Sequence, residues 1–227
     1  MSSWHKSRRA ILRNAVGVGV AVGTYGVSFG ALAVTNGLDL WQALALSTLT
    51  FTGGSQFALV SVIGSGGTAY AAVAASLLLG VRNTLYGLRL APLLQVSGRR
   101  RLLAAQLTID ETAAMAAAQP DDRSGRLAFW TTGAAVFICW NLATLLGALG
   151  AGLVGDPALF GLDAAVPAAL LALVWPQLRN RNAVTVAVGA AAVALSLTPW
   201  LPPGLPVLIA ASVAVVAAWP EPGVNAP

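Results

Sequence analysis

The chain has 227 residues, of which 57% are hydrophobic and only 9% are charged. Soluble domains carry about 25% charged residues, so this composition excludes an ordinary soluble protein and indicates one that crosses a membrane several times. The net charge of +5 lies in short clusters beside apolar runs, which is typical of membrane orientation and argues against nucleic-acid binding.

Apolar segments follow one another along the whole chain. We expect an all-α integral membrane protein with about six to eight transmembrane or re-entrant helices and with broken helices near the membrane midplane. A single membrane domain over 15–219 is predicted, between a basic cytoplasmic tail at 1–14 and a short tail at 220–227. The predicted segments are 15–37, 42–63, 69–94, 103–118, 128–153, 158–178, 182–199 and 204–219.

The second predicted segment contains a break at its middle. Apolar stretches precede and follow Thr52, Gly53, Gly54, Ser55 and Gln56. Adjacent glycines with polar neighbours unwind a helix, and irregular backbone at membrane depth survives only against protein or a wet cavity. Because discontinuous helices of this kind commonly form transporter binding sites, we expect a solute site here. A kinked but fully packed helix is the alternative.

Two other features predict helix packing. Gly19, Gly23, Gly26 and Gly30 recur at the intervals that allow another helix to approach closely in lipid, with a substrate path along the glycine face as the alternative. Asn141 places an amide inside the fifth segment, where we expect a hydrogen bond to another helix.

The basic clusters conflict with a simple count of spans. They occur in the N-terminal tail, at 99–101, at Arg123 and Arg126, and at Arg179 and Arg181. The positive-inside rule places all of them, and the N-terminus, in the cytoplasm. Counting every segment as a full span would instead put 99–101 outside. The conflict disappears if the second segment is a re-entrant hairpin and the fourth does not fully cross.

Arg82 lies mid-way along the third segment, where a cation is costly unless it faces a cavity or a partner. Tyr86, four residues later, shares its helix face, and Asn83 is adjacent. The fixed fork of guanidinium donors suits a carboxylate. A solute-binding or gating role and a structural salt bridge are equally open for Arg82.

Asp110 and Glu111 are adjacent acidic residues in the fourth segment. Neighbouring helix residues point about 100° apart, so the two need not serve one site. In apolar surroundings a carboxylate is either paired, with Arg82 as a candidate, or carries a proton. A solvated turn of an amphipathic helix is the alternative. Asp163 lies before Pro167, where a helix cap and an ion or amine site are both open.

The scarcity of some residue types excludes several enzyme classes. His5 and Lys6 are the only histidine and lysine, so neither a Ser–His protease built on Ser55 nor a P-loop ATPase has the residues it needs. Cys139 is the only cysteine, and no His/Cys cluster offers a soft-metal site. We therefore expect no enzyme activity, no cofactor and no metal site.

Five short motifs occur in a fixed order along the chain. They are GVSFG at 26–30, GSQF at 54–57, Arg82 with LYG at 85–87, TIDE at 108–111, and GLD at 161–163 leading to Pro167. Their order and spacing resemble the AzlC family, the large subunit of branched-chain amino-acid exporters. Two departures occur: TGGSQF at 52–57 replaces the usual AGASQF, and Gly80 and Asn83 replace an asparagine and a histidine. A coupling role for that histidine does not transfer.

The resemblance implies a permease subunit in the bacterial inner membrane that exports branched-chain or similar amino acids with a small AzlD-like membrane partner. Without an ATPase signature, we expect secondary, proton-coupled transport. In this interpretation the solute is bound by 52–56, Arg82, Asn83 and Tyr86. Charge pairing or coupling falls to the three acidic residues at 110, 111 and 163. Export of another small organic solute, and a non-transporting assembly or regulatory subunit, are the alternatives.

Overall fold

Helix is the regular structure of the described part of the chain. The computed structural model describes residues 2–151 and 181–217, together with Leu171, Trp175 and Leu178, and no β-strand occurs among them. Asp163 and most of the predicted segment 158–178 lie outside the described residues. The helices are α1 (Ser2–Thr35), α2 (Leu40–Leu49), α3 (Gly54–Gly64), α4 (Ala69–Leu94), α5 (Arg99–Gln106), α6 (Asp110–Ala117), α7 (Asp122–Ala151), α8 (Arg181–Leu197) and α9 (Leu205–Ala217).

Three of the described helices are long and apolar enough to cross a membrane. α1, α4 and α7 contain 34, 26 and 30 residues. At about 1.5 Å per residue, each exceeds the ~30 Å hydrocarbon core of a bilayer. α1 begins at Ser2, so the basic residues that we predicted as a tail form its first turns. The expectation of an all-helical membrane protein is confirmed.

α1 and α7 pack against each other through small residues. A Cβ added at any of four glycines of α1 would come closer than 3.0 Å to an atom of α7. The glycines, each with its nearest α7 residue, are Gly19 with Ala135, Gly23 with Cys139, Gly26 with Trp140, and Gly30 with Thr144. The partners advance in the same direction along both helices, so α1 and α7 are parallel. The packing role predicted for these glycines is confirmed.

α2 and α3 form a short hairpin over residues 40–64, which we call hairpin 1. The two helices have 10 and 11 residues, so each is about half as long as a membrane is thick. The end of α3 returns to the start of α2, because a Cβ at Gly64 would overlap the side chain of Asn36, just before α2 begins. Residues 50–53 form the tip, which confirms a break, but 54–56 of the predicted stretch are helical and begin α3.

α5 and α6 form a second hairpin over residues 99–117, which we call hairpin 2. Each helix has eight residues, and 107–109 form the tip. Ala116, near the end of α6, packs in one cluster with Leu94 at the end of α4, just before α5 begins. The predicted segment 103–118 therefore belongs to a chain that folds back, and it is interrupted by a break that the sequence did not predict.

The two hairpins enter the bundle from opposite ends. Arg126, near the start of α7, donates a hydrogen bond from Nη1 to the carbonyl of Leu93, near the end of α4, at 2.9 Å. α4 is therefore antiparallel to α7 and to α1. Residues 2–64 and 69–117 thus repeat one order, a long helix followed by a hairpin, with inverted direction. Many secondary transporters are built from inverted repeats of this kind.

Basic residues gather at one end of the bundle, which we call the basic end. The Arg123 guanidinium lies 4.1 Å from the centre of a Trp4 ring, at the starts of α7 and α1, and 99–101 begin hairpin 2 at the same end. The connection between α8 and α9 lies against Gly67 at the opposite end, so the start of α8 at Arg181 is directed to the basic end. Because hairpins 1 and 2 each fold back and do not cross the bundle, these basic residues all come to the basic end.

Candidate functional site

The tips of hairpins 1 and 2 meet in the middle of the bundle. Gln106 of hairpin 2 donates a hydrogen bond from Nε2 to the carbonyl of Thr48 in hairpin 1, at 2.6 Å. A cavity of about 70 Å³ lies at this junction, with room for about five water-sized positions. It is lined by Val22, Tyr25, Phe51, Thr52, Gly53, Gly54, Phe57, Arg82, Ile109, Asp110, Glu111, Val136 and Trp140.

The tip of hairpin 1 is held open by one buried side chain. Gly53 adopts φ +65°, a left-handed conformation that favours glycine. The Gln56 side chain is fully buried; its Oε1 accepts from the Gly53 N–H at 3.2 Å, and its Nε2 donates to the carbonyl of Leu46 at 2.7 Å. Gln56 thereby bonds to the backbone on both sides of the break and gives the Gly53 N–H its partner. α3 begins at Gly54, which lines the cavity.

Thr112 has the corresponding role at the tip of hairpin 2, where its side chain bonds to the backbone of the break. Its Oγ1 accepts from the Ile109 N–H at 3.0 Å and donates to the carbonyl of Leu107 at 2.8 Å. Thr112 and Gln56 are each the third residue of the helix that follows a break. Asp110 and Glu111 occupy the first turn of α6, where the positive end of the helix favours carboxylates.

Arg82 reaches the tips of both hairpins. Its Nη1 donates to Asp110 Oδ2 at 2.7 Å, and its Nη2 lies 3.4 Å from the carbonyl oxygen of Thr52. The ion pair is part-buried, with the two side chains 29% and 31% exposed. Tyr86, one turn after Arg82 on α4, lies close enough to interact electrostatically with the pair. The pairing of Arg82 with Asp110 that the sequence suggested is present.

Glu111 lines the cavity beside this pair but does not join it. Within the described residues it forms no ion pair and no hydrogen bond to another residue, although Asp110 and Arg82 lie near enough to interact electrostatically with its carboxylate. The site therefore contains one guanidinium and two carboxylates. When all three are ionised, it carries an excess negative charge next to an otherwise apolar cavity.

Most of the cavity wall consists of apolar residues that the sequence did not single out as site residues. Val22 comes from α1, Phe57 from α3, and Val136 and Trp140 from α7. Trp140 is 3% exposed and stacks on Phe29, with ring centroids 5.9 Å apart. Isolated apolar residues in an apolar chain give no local signal. Only the α1 glycines, which bring α7 alongside α1, pointed to this wall.

Several predicted residues lie away from the cavity. Ser55 and Gln56 are buried behind it, and Asn83 lines a separate groove between α4 and α5. The inter-helix hydrogen bond predicted for Asn141 is wrong for the described residues. Its Nδ2 instead donates to the carbonyl of Phe137 in the same helix, at 2.8 Å. This i→i−4 bond satisfies the amide donor without a second helix.

A comparison with known proteins shows which family has this sequence pattern. A family model described as AzlC protein matches residues 17–154. The match covers more than half of the chain, from within α1 to beyond the end of α7, and includes both hairpins and the whole cavity lining. The chain belongs to the AzlC family. Its AzlC membership and its apolar helices together indicate a transporter-like membrane protein. No curated protein and no solved structure matches the chain.

The described side chains offer little to a metal ion. Among them, no group of three or more His, Cys, Asp or Glu residues is placed to hold one. The groups available to a bound molecule are instead the apolar walls, the Arg82 guanidinium, the carboxylates of Asp110 and Glu111, and the first amides of α3. This set suits a small solute that carries both charged and apolar parts.

Proposed function

We propose that the chain is a permease subunit of the bacterial inner membrane that exports branched-chain or similar small apolar amino acids together with a small AzlD-like partner. Transport is secondary and coupled to protons. The observation that carries this proposal is the cavity at the meeting point of two opposed hairpin tips, where apolar walls adjoin a cluster of charged groups. Transporter substrate sites lie at such junctions of broken helices.

The cavity has a group for each part of an amino acid. An aliphatic side chain would contact the apolar walls, including Val136 and Trp140. The carboxylate would be attracted by the positive end of α3 at Gly54 and by Arg82, and the ammonium by the carboxylates of α6. The small volume of the cavity favours solutes of the size of valine or leucine over larger ones.

The inverted hairpins also support alternating access. Each hairpin separates the cavity from one end of the bundle, so movement of one at a time would open the site to one side of the membrane. The positive-inside rule places the basic end, with the N-terminus, in the cytoplasm. Hairpin 2 then faces the cytoplasm and hairpin 1 the opposite side.

Efflux from loaded cells tests the proposal. Cells that express the chain with its partner are loaded with labelled valine, leucine or methionine, and the loss of label is followed with and without a protonophore. We expect faster efflux than from cells expressing the partner alone, and we expect the protonophore to reduce it. Efflux equal to that of the partner-only cells for all three amino acids would reject amino-acid export.

The same cells distinguish the two alternatives. Accelerated loss of a different small solute, with amino-acid efflux unchanged, would support an exporter of another cargo. A chain that co-purifies with its partner but accelerates the efflux of no tested solute would support a non-transporting assembly or regulatory subunit.

A further inference from the structure

We propose that Arg82 and Asp110 form a latch between the two hairpin tips, and that Glu111 is the carboxylate that receives the ammonium group of the solute. This assignment rests on the proposed function, because the ammonium is that of the transported amino acid. It divides the charged cluster into a positioning pair, Arg82 with Asp110, and one binding residue, Glu111.

The contacts of Arg82 support the latch. Arg82 belongs to α4, outside both hairpins, yet its partners belong to one hairpin each: Asp110 begins α6, and Thr52 lies in the tip of hairpin 1. One side chain therefore fixes the position of both tips. These contacts use two of the five guanidinium N–H donors and make Asp110 the charged partner of Arg82, so in the latch Arg82 has a positioning role.

Because Arg82 is paired with Asp110, Glu111 is the carboxylate available to bind the solute ammonium. Arg82 compensates one carboxylate, that of Asp110, at 2.7 Å. Glu111 is adjacent in sequence, but neighbouring helix positions point about 100° apart, so its side chain does not share the pair. A partly buried carboxylate without an ion-pair partner of its own is costly. An ammonium group that enters the cavity would supply that counter-charge at Glu111.

The opposite end of a zwitterion also has a place in the cavity. Gly54 begins α3 and lines the cavity, so the unbonded first amides of this helix lie where a carboxylate can approach. Ammonium at α6 and carboxylate at α3 would make the amino acid a bridge between the two tips, alongside the Arg82–Asp110 latch.

A double-mutant cycle on the full chain with its partner tests the latch. Arg82→Gln and Asp110→Asn should each lower the thermal unfolding midpoint of the purified complex by about 3–6 °C, because each leaves a charge without its partner. The double variant should recover most of that loss. Arg89→Gln, an exposed cation on the same helix, is the matched control and should leave the midpoint unchanged.

Measurements of export distinguish the latch role of Arg82 and Asp110 from the binding role of Glu111. Glu111→Gln should keep or raise the unfolding midpoint, because it removes an unpaired carboxylate, and should lose export about tenfold or more, because the carboxylate that binds the ammonium is gone. The double-neutral latch variant should export better than either single variant. A double variant no more stable and no more active than the singles would overturn the latch, and wild-type export by Glu111→Gln would overturn the binding role.

Protection of a cysteine by leucine measures binding of the solute without requiring transport. In a Cys139→Ala background, a Tyr25→Cys variant, at an exposed position that lines the cavity, is treated with a small cationic thiol reagent with and without leucine, once with Glu111 intact and once as Glu111→Gln. Leucine should slow the modification only when Glu111 is intact. The absence of protection there, or equal protection in both proteins, would overturn the placement of the ammonium at Glu111. Protection by leucine without any export by the wild-type protein would reject the proposed function alone. The unfolding midpoints of the double-mutant cycle test the latch in either case.

Discussion

At the residue scale, the broken backbone depends on side chains that replace missing helix hydrogen bonds. Gln56 bonds both to Gly53, in the tip of hairpin 1, and to Leu46, in α2. An unpaired backbone group buried at membrane depth is costly, so a long amide at this position is a structural requirement of the break. Thr112 fulfils the same requirement in hairpin 2.

Replacing Gln56 by leucine should destabilise the protein. The change keeps the side-chain size but leaves the Gly53 N–H without a partner, while the Leu46 carbonyl keeps its bonds to Thr50. The unpaired N–H costs about 1–3 kcal/mol of unfolding free energy. The thermal unfolding midpoint of the purified protein in detergent measures this loss. Gln42→Leu is the control: Gln42 Oε1 accepts from Asp39 N–H at an exposed site, where water can replace it. Equal midpoints for the two variants would contradict the role given to Gln56.

The sequence predicted part of this chemistry. Arg82 and Asp110 are unusual because charge is rare in the chain, and rarity in apolar surroundings was enough to suggest their pairing. The separation of Glu111 from that pair, and the position of Asn83 in a different groove, depend on helix rotation. Rotation is set by packing between helices, which a single sequence does not specify.

At the element scale, the two breaks differed in how visible they were in the sequence. The tip of hairpin 1 contains adjacent glycines, which signal an unwound helix directly. The tip of hairpin 2, at 107–109, contains no glycine or proline, and an apolar run continues up to it. Its only local sign is the pair of acidic residues that begins α6, a common feature of helix N-termini. The predicted segment 103–118 therefore missed the break.

The contact between α1 and α7 gives a stability prediction. A Cβ at Gly30 would overlap the carbonyl oxygen of Thr144, so Gly30→Ala forces two backbones apart and should cost about 1–3 kcal/mol or more. Gly17→Ala lies on the same helix with no atom within 4 Å of the new Cβ, and should be neutral or slightly stabilising. Thermal unfolding of both variants checks this pair. A midpoint for Gly30→Ala at or above that of Gly17→Ala would argue against close α1–α7 packing.

At the scale of the whole molecule, the inverted arrangement explains the distribution of charge. With hairpins 1 and 2 in place of full spans, the chain has three long helices up to residue 151, and the start of hairpin 2 comes to the same end as the N-terminus. The charge pattern of the sequence suggested this arrangement. The sequence suggested that Arg82 lies near both 52–56 and Asp110, but the direct contact between the two hairpins joins segments about 60 residues apart and did not follow from it.

Cysteine labelling tests the inverted arrangement. In a Cys139→Ala background, Gln42→Cys and Ser65→Cys mark the two open ends of hairpin 1, while Arg101→Cys and Ala118→Cys mark those of hairpin 2; all four positions are exposed. With a membrane-impermeant reagent on intact cells, we expect the first pair to react and the second pair to react only after lysis. Opposite sidedness within either pair would show a full span.

The central claim, that the cavity between the hairpin tips is the solute site, is tested most directly by filling the cavity. Val136 lines the cavity and is fully buried, whereas Ile138, two residues along the same helix, is 56% exposed on the outer surface. Both are changed to phenylalanine, and efflux of labelled leucine is measured at matched levels of membrane-inserted protein with its partner. We expect Val136→Phe to reduce efflux to that of cells lacking the chain and Ile138→Phe to retain it. Wild-type efflux by Val136→Phe would contradict the account.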